Sequence, residues 1–174
     1  MKEKILKGKV WIITNNKNEL VPDIDTDQIF HNAFLHITEI EKMGQHAFGN
    51  LEGWKDFPEK CTSGDIILVG DNFGAGSSRQ QAVDCFKALG VSAIIAGSYG
   101  AIYKRNAINS GFPIISIESL EELVKNKEIE NKDEIELDLL NGKLKNLSNN
   151  KIFKFDPLSK VQKDIWEKGS LLKI

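Results

Sequence analysis

Apolar residues gather along this chain in short dense runs, with polar and glycine-bearing stretches between them. Lys9-Val10-Trp11-Ile12-Ile13 reads as a first strand, ended by the polar cluster Asn15-Asn16-Lys17-Asn18. Ile66–Val69, residues 91–96 and residues 113–117 are further strands, and the last two are short and mostly apolar, as in a buried sheet. Between the strands the period changes. Ala82, Cys85, Phe86 and Leu89 recur at the spacing of one helix face, and Ser77 or Ser78 is placed to cap that helix. A second helix runs from a cap at Ser98 to about Ser110, where Gly111 and then Pro113 stop it. A short capped helix follows Ser119. Residues 34–48 have mixed helical character, with Ile37, Ile40, Met43 and Ala47 near helical spacing. Asp56-Phe57-Pro58 reads as the turn before Cys61. From Glu128 the style shifts: Ile135-Glu136-Leu137-Asp138-Leu139 alternates, Asn141-Gly142 signals a hairpin, and residues 143–155 continue an antiparallel ribbon. Residues 157–168 form a last helix. The pattern predicts an α/β domain with antiparallel hairpin additions.

The length of 174 residues fits a single domain, 1–174, and the shift near 128 marks at most a C-terminal subdomain, 128–174. The formal net charge is -2 with no basic cluster, which argues against a nucleic-acid surface. No apolar run approaches the roughly 20 residues needed to span a membrane. Met1-Lys2-Glu3-Lys4-Ile5 lacks the apolar core of a signal peptide, so the cytoplasm is the expected compartment. Cys61 and Cys85 are the only cysteines, too few for a disulfide scaffold and without metal-type spacing.

The candidate chemistry lies in Gly74-Ala75-Gly76-Ser77-Ser78-Arg79, between the strand at 66–69 and the helix that follows. Unpaired N–H groups at a helix head and the positive end of its dipole favour an anion there. Arg79 adds a fixed fork of donors suited to a carboxylate or phosphate. Better-known glycine signatures fail. A dinucleotide fingerprint wants glycine where Arg79 stands, a phosphate loop wants Lys-Ser/Thr after its second glycine, and no Gly-x-Ser-x-Gly elbow exists. Upstream, Asp23-Ile24-Asp25-Thr26-Asp27 suggests calcium, but the glycine and later glutamate of a calcium loop are missing. These residues either cap turns through their own backbone or also shape a site. His31, His36 and His46 lack ligand spacing, two thiols cannot carry an iron–sulfur cluster, and Cys85 falls on the apolar helix face. No metal site is expected on this chain.

Three segments in order, Asp25-Thr26-Asp27-Gln28-Ile29, Asn72-Phe73-Gly74-Ala75-Gly76-Ser77-Ser78-Arg79 and Arg105-Asn106-Ala107-Ile108-Asn109-Ser110-Gly111, resemble the small-subunit, or swivel-domain, family of the aconitase superfamily. The likeness covers most of the chain and is strongest to small subunits of 3-isopropylmalate dehydratases and their homoaconitase relatives. It implies a swivelling β/β/α domain like the aconitase C-terminal domain. It also implies a hydro-lyase of leucine biosynthesis that isomerises 2- and 3-isopropylmalate by dehydration and rehydration. This chain would carry no cofactor. A large partner subunit, in a heterodimer or heterotetramer, would carry a four-iron, four-sulfur cluster. By position Ser77 would be the base, Arg79 would grip a carboxylate of a small hydroxy acid, and Gly76 and Ser78 would complete the anion seat. Asp25, Thr26 and Asp27 would form the pocket wall. Leu35, His36 and Ile37 would stand in the substrate-selecting segment, where the lack of arginine favours a branched apolar substrate. Ser98, Arg105 and Asn106 would be structural. The family usually continues Ser-Ser-Arg with Glu-His, whereas this chain has Gln80-Gln81. Alternatives are a homoaconitase, citraconate- or 2,3-dimethylmalate-type hydro-lyase small subunit, or a non-catalytic anion-binding module that regulates a partner.

A magnitude bears on the partner. Making a serine hydroxyl basic near neutral pH means moving its pKa by about 6 units, or about 8 kcal/mol. A helix N-terminus supplies roughly 0.3–1 kcal/mol and at best about 2. A nearby guanidinium in a dry site adds a few more. The chain alone is therefore expected to be inactive.

Overall fold

The strong apolar runs assemble into one mixed sheet. The computed structural model describes residues 5–174, so Met1 to Lys4 of the segment read for a signal peptide lie outside the described residues. β1 (Ile5–Ile12), β2 (Ile66–Val69), β3 (Ala93–Ala96) and β4 (Ile114–Ser116) pair in parallel, each beside the next. β5 (Glu134–Asp138), β6 (Lys143–Asn146) and β7 (Ile152–Lys154) extend the other edge of β1 as an antiparallel ribbon, in the order β4-β3-β2-β1-β5-β6-β7. β1 serves both halves: its residues 5–9 pair with β5, and residues 10–12 pair with β2. Helices α1 (Thr26–Ile29), α2 (Phe57–Lys60), α3 (Gln81–Ala88), α4 (Ala101–Asn109), α5 (Leu120–Lys125) and α6 (Lys160–Lys168) lie between and after the strands.

Alternation along the buried strands builds two apolar layers. Ile67, Val69 and Ile94 pack with Val83 and Phe86 of α3 and Tyr103 and Ala107 of α4. Ile66, Leu68 and Ile95 point the other way, against Leu120 and Leu123 of α5, Ile135 and Leu137 of β5, and Trp166 of α6. Each such side chain, fully buried, contributes about 1.5–3 kcal/mol relative to exposure. This sandwiching explains why β2 and β3 are apolar at every position, while β5 alternates between buried Ile135 and Leu137 and charged neighbours. The α/β class with an added antiparallel ribbon matches the expectation.

Several local expectations are corrected. α3 begins at Gln81, and neither Ser77 nor Ser78 caps it; the cap position is Gln80, in helical conformation without a side-chain capping bond. Gly76 before them takes a left-handed φ of 97°, and the serine hydroxyls bond to Arg79 and Asn106 instead. Ser98 does not cap α4, whose cap position is Gly100; the Ser98 hydroxyl instead accepts the Asn72 N–H at 2.8 Å. Ser119 precedes α5 but makes no capping bond. Residues 34–48 hold short 3-10 turns, Ile40–Lys42 and Gly44–His46, rather than a helix; Ile40 is exposed while Met43, Ala47 and Phe48 are buried, and Phe48 takes a positive φ. The turn at Asp56-Phe57-Pro58 is the start of α2. Asn141-Gly142 closes a longer loop than a two-residue hairpin, because Asp138 pairs with Lys143 and its carboxylate accepts the Leu140 and Asn141 N–H groups. α6 starts later than expected, behind a capping box of Ser159 and Gln162, and ends at Gly169 in the left-handed region.

Candidate active site

The loop after β2 leaves the carboxyl edge of the parallel strands, the edge where α/β sheets place ligands. It runs between two other segments and is pinned to both by its backbone. On one side the Gly74 N–H donates to Ile24 O (2.8 Å) and the Thr26 N–H to Ala75 O (2.9 Å). On the other, the Phe73 N–H donates to Ser98 O (3.1 Å) and the Gly100 N–H to Phe73 O (2.9 Å). Glycine is required at Gly74, since its φ is 80° and a Cβ would come 2.2 Å from the Tyr103 ring.

The aspartate segment meets the loop through side chains. Asp25 caps α1: its Oδ1 accepts the Gln28 N–H (2.8 Å), and Gln28 Oε1 accepts the Asp25 N–H (3.0 Å). Buried Thr26 donates its hydroxyl to the Ser77 carbonyl at 2.9 Å, which fixes the loop between Ser77 and Ser78. Asp27 Oδ1 accepts the Asn32 N–H (2.8 Å) and Arg79 Nη1 (3.2 Å), and its Oδ2 accepts from Asn50 (2.9 Å). Asp25 and Asp27 thus bond nearby backbone, and Thr26 and Asp27 also touch the serine–arginine loop.

Arg79 is the hub. Its Nη1 also donates to the Phe30 carbonyl at 2.9 Å, and its Nη2 donates to the Ser77 hydroxyl oxygen at 3.0 Å. The side chain is 12% exposed, and its Nε is the one buried side-chain nitrogen or oxygen without a hydrogen-bond partner among the described residues. A buried donor left without an acceptor costs about 1–3 kcal/mol. Ser77, Ser78 and Gly76 are exposed at the loop surface. Behind them Asn106 of α4 donates to the Ser78 hydroxyl (3.1 Å), and Gln80 donates to the Ser110 hydroxyl (2.6 Å) and to Asp84 (3.2 Å).

The segment at 35–37 is brought alongside only in part. Leu35 and His36 are exposed on the turn after Phe30, whereas Ile37 packs against the core. Gln81 Nε2 reaches the Leu35 carbonyl at 3.2 Å. The contacts of Gln80 and Gln81 were signalled in the sequence only by the Gln80-Gln81 departure, whereas Asn106, expected to be structural, also donates to the Ser78 hydroxyl. Arg105 is exposed on α4.

Electrostatics follow the contacts. The Asn32 N–H holds the Asp27 carboxyl below its ordinary value, with Arg79 adding to this against a desolvation effect of opposite sign. Desolvation, with a smaller push from His36, lowers His46, whose ring stacks on Phe34 at 3.9 Å. Burial pushes the Cys61 thiol up to about 12 and raises buried Cys85 as well, so neither is a reactive thiolate at neutral pH. Among the described residues no group of three or more His, Cys, Asp or Glu side chains could hold a metal ion, and no helix is long and apolar enough to cross a membrane.

A seven-stranded α/β unit that presents a serine–arginine loop at its strand ends defines a class. Residues 11–122 match the model of the aconitase C-terminal domain, and the chain belongs to that family. Its relatives narrow the likeness further. The chain is 40% identical over 168 residues to the 3-isopropylmalate dehydratase small subunit of Caldicellulosiruptor bescii, covering 97% of this chain and 93% of that one. It is 38% identical over 168 residues to the isopropylmalate/citramalate isomerase small subunit of Methanocaldococcus jannaschii, covering 97% and 92%. The crystal structure of a 3-isopropylmalate dehydratase from the same archaeon superposes with a TM-score of 0.82 at 32% identity, over 97% of this chain and 92% of that one.

Proposed function

We propose that this chain is the small subunit of a 3-isopropylmalate dehydratase, a hydro-lyase of leucine biosynthesis that works only with a large subunit. The relatives' names favour this over the homoaconitase, citraconate- and dimethylmalate-type alternatives and over a non-catalytic module. One observation carries the site reading: the exposed Ser77 hydroxyl accepts from a guanidinium that Asp27 and Phe30 hold still. Ser77 Oγ is the base that takes the proton beside a substrate carboxylate and returns it on rehydration. Arg79 stabilises the alkoxide through Nη2, and its fixed positive charge draws that carboxylate to the seat. Ser78, held by Asn106, and the backbone at Gly76 line the anion seat; Asp25, Thr26 and Asp27 form its wall.

No donor set for an iron–sulfur cluster exists among the described residues, so in this reading the cluster sits on the large subunit. When bound there it supplies a Lewis acid for the substrate hydroxyl. The partner also excludes water from Ser77, which this chain by itself leaves exposed. The substrate is a small hydroxy acid, the assembly a heterodimer or heterotetramer, and the compartment the cytoplasm.

The test is turnover of 3-isopropylmalate by the chain reconstituted with a cluster-bearing large subunit. The pair is expected to be active and either subunit alone inactive. Ser77→Ala should lower kcat by about 100- to 10,000-fold, the range for a lost general base. Turnover by this chain alone, or a Ser77→Ala pair within tenfold of wild type, would refute the assignment.

A further inference from the structure

Gln81 opens α3, yet its side chain leaves the helix and crosses to another part of the molecule. Its Nε2 donates to the Leu35 carbonyl, and the two residues lie 46 positions apart. The turn that carries Leu35 is tied down at its beginning: Asp27 accepts the Asn32 N–H, and Phe30, just before it, accepts Arg79 Nη1. Its middle is held by Phe34, stacked on His46. At the tip, Leu35 is 37% exposed, and the backbone bonds there are short-range, from the Leu35 N–H to Asn32 O and from the Ile37 N–H to Phe34 O. Gln81 therefore bridges this tip to the chain two residues beyond Arg79.

We infer that Gln81 is a positioning residue that sets the Leu35–His36 tip at a fixed distance from Arg79, and so places Leu35 against the apolar branch of a hydroxy acid whose carboxylate Arg79 holds. The inference rests on the proposed function. The chemistry required at this position is an N–H at the end of a side chain of defined reach. Histidine presents its Nε2–H at a reach close to that of glutamine. Leucine matches the size of glutamine without the donor.

The experiment has two arms. In the reconstituted pair, Gln81→Leu should raise KM for 3-isopropylmalate about fivefold, the weight of one neutral hydrogen bond, with kcat within about twofold. In the full chain alone, amide hydrogen exchange at Leu35 and Ile37 should quicken by about the same factor, with β2 and β3 unchanged. Gln81→His should restore both readings. Unchanged exchange in Gln81→Leu overturns the tie itself, and a fall in kcat with KM constant overturns the role toward substrate. A wild-type pair without turnover removes the functional reading and the substrate role together, while the exchange arm still decides whether Gln81 holds the tip.

Discussion

Arg79→Lys separates what Arg79 does for the reaction from what it does for the fold. Two different nitrogens of the guanidinium make the recorded contacts: Nη1 with Asp27 (3.2 Å) and Phe30 (2.9 Å), and Nη2 with Ser77 (3.0 Å). One ammonium can replace Nη1 or Nη2, not both. With Nζ drawn to the Asp27 carboxylate, Ser77 loses a charge-assisted donor worth about 1.5–3 kcal/mol. At about 1.4 kcal/mol per decade this lowers kcat by roughly 10- to 150-fold, before any loss of the carboxylate fork, which raises KM. In the chain alone the lost Nη2–Ser77 bond is open to water and weighs little on stability. Lysine has no Nε–H at that depth, so the buried donor without an acceptor disappears, which removes a penalty of about 1–3 kcal/mol. The Asp27 ion pair is retained, and with Asp27 37% exposed it is worth only about 0.2–1 kcal/mol. Thermal unfolding of the chain alone should therefore show an unchanged or higher Tm, and the reconstituted pair should show the kinetic loss. A Tm lowered by more than about 5 °C with kcat preserved would refute the reasoning and make Arg79 a structural residue; 1 kcal/mol is about 2–4 °C for a domain of this size.

Gly74→Ala must adopt a left-handed φ and push its Cβ into the Tyr103 ring, so a loss of at least about 2 kcal/mol is expected in urea unfolding; a loss under about 0.5 kcal/mol would contradict the packing described. His46 gives a pH signature. Its folded pKa is depressed below 6.5, so the unfolded chain binds the proton more readily; the associated stability is complete above about pH 6.5 and lost as pH falls through the folded value. The difference in urea midpoint between wild type and His46→Gln should therefore narrow as pH drops from 7.5 toward 5, and a constant or widening gap would exclude the assignment.

The sheet was legible because its signals are local. β2 and β3 are apolar at every position since both faces are covered, and Ile135 and Leu137 alternate with charge since one face of β5 is wet. The serines before α3 were misread for the opposite reason. As Ser-Ser ahead of an amphipathic run they are good caps, but Thr26 grips the Ser77 carbonyl, Arg79 takes the Ser77 hydroxyl and Asn106 takes that of Ser78. Each of those partners is supplied by the tertiary fold or by a rotamer, and no propensity scale sees it. The 34–48 stretch failed similarly: near-helical spacing of Ile37, Ile40, Met43 and Ala47 did not bury Ile40. Motif order and spacing brought Asp25–Asp27 and Ser77–Arg79 together correctly, whereas Gln81 was visible only as an oddity until its bond to Leu35 was seen.

The first strand has a kinetic consequence. Val10 finds its neighbour at Ile66, and Leu6 finds its neighbour at Leu137, so β1 stays half-paired until most of the chain exists. Closing loops of that size before any contact repays them slows the search for the native topology. During synthesis on the ribosome, the parallel half can gather first around β2 and β3. The open edge of β1 then waits for β5, and in that interval it is the surface most exposed to mispairing with another nascent copy.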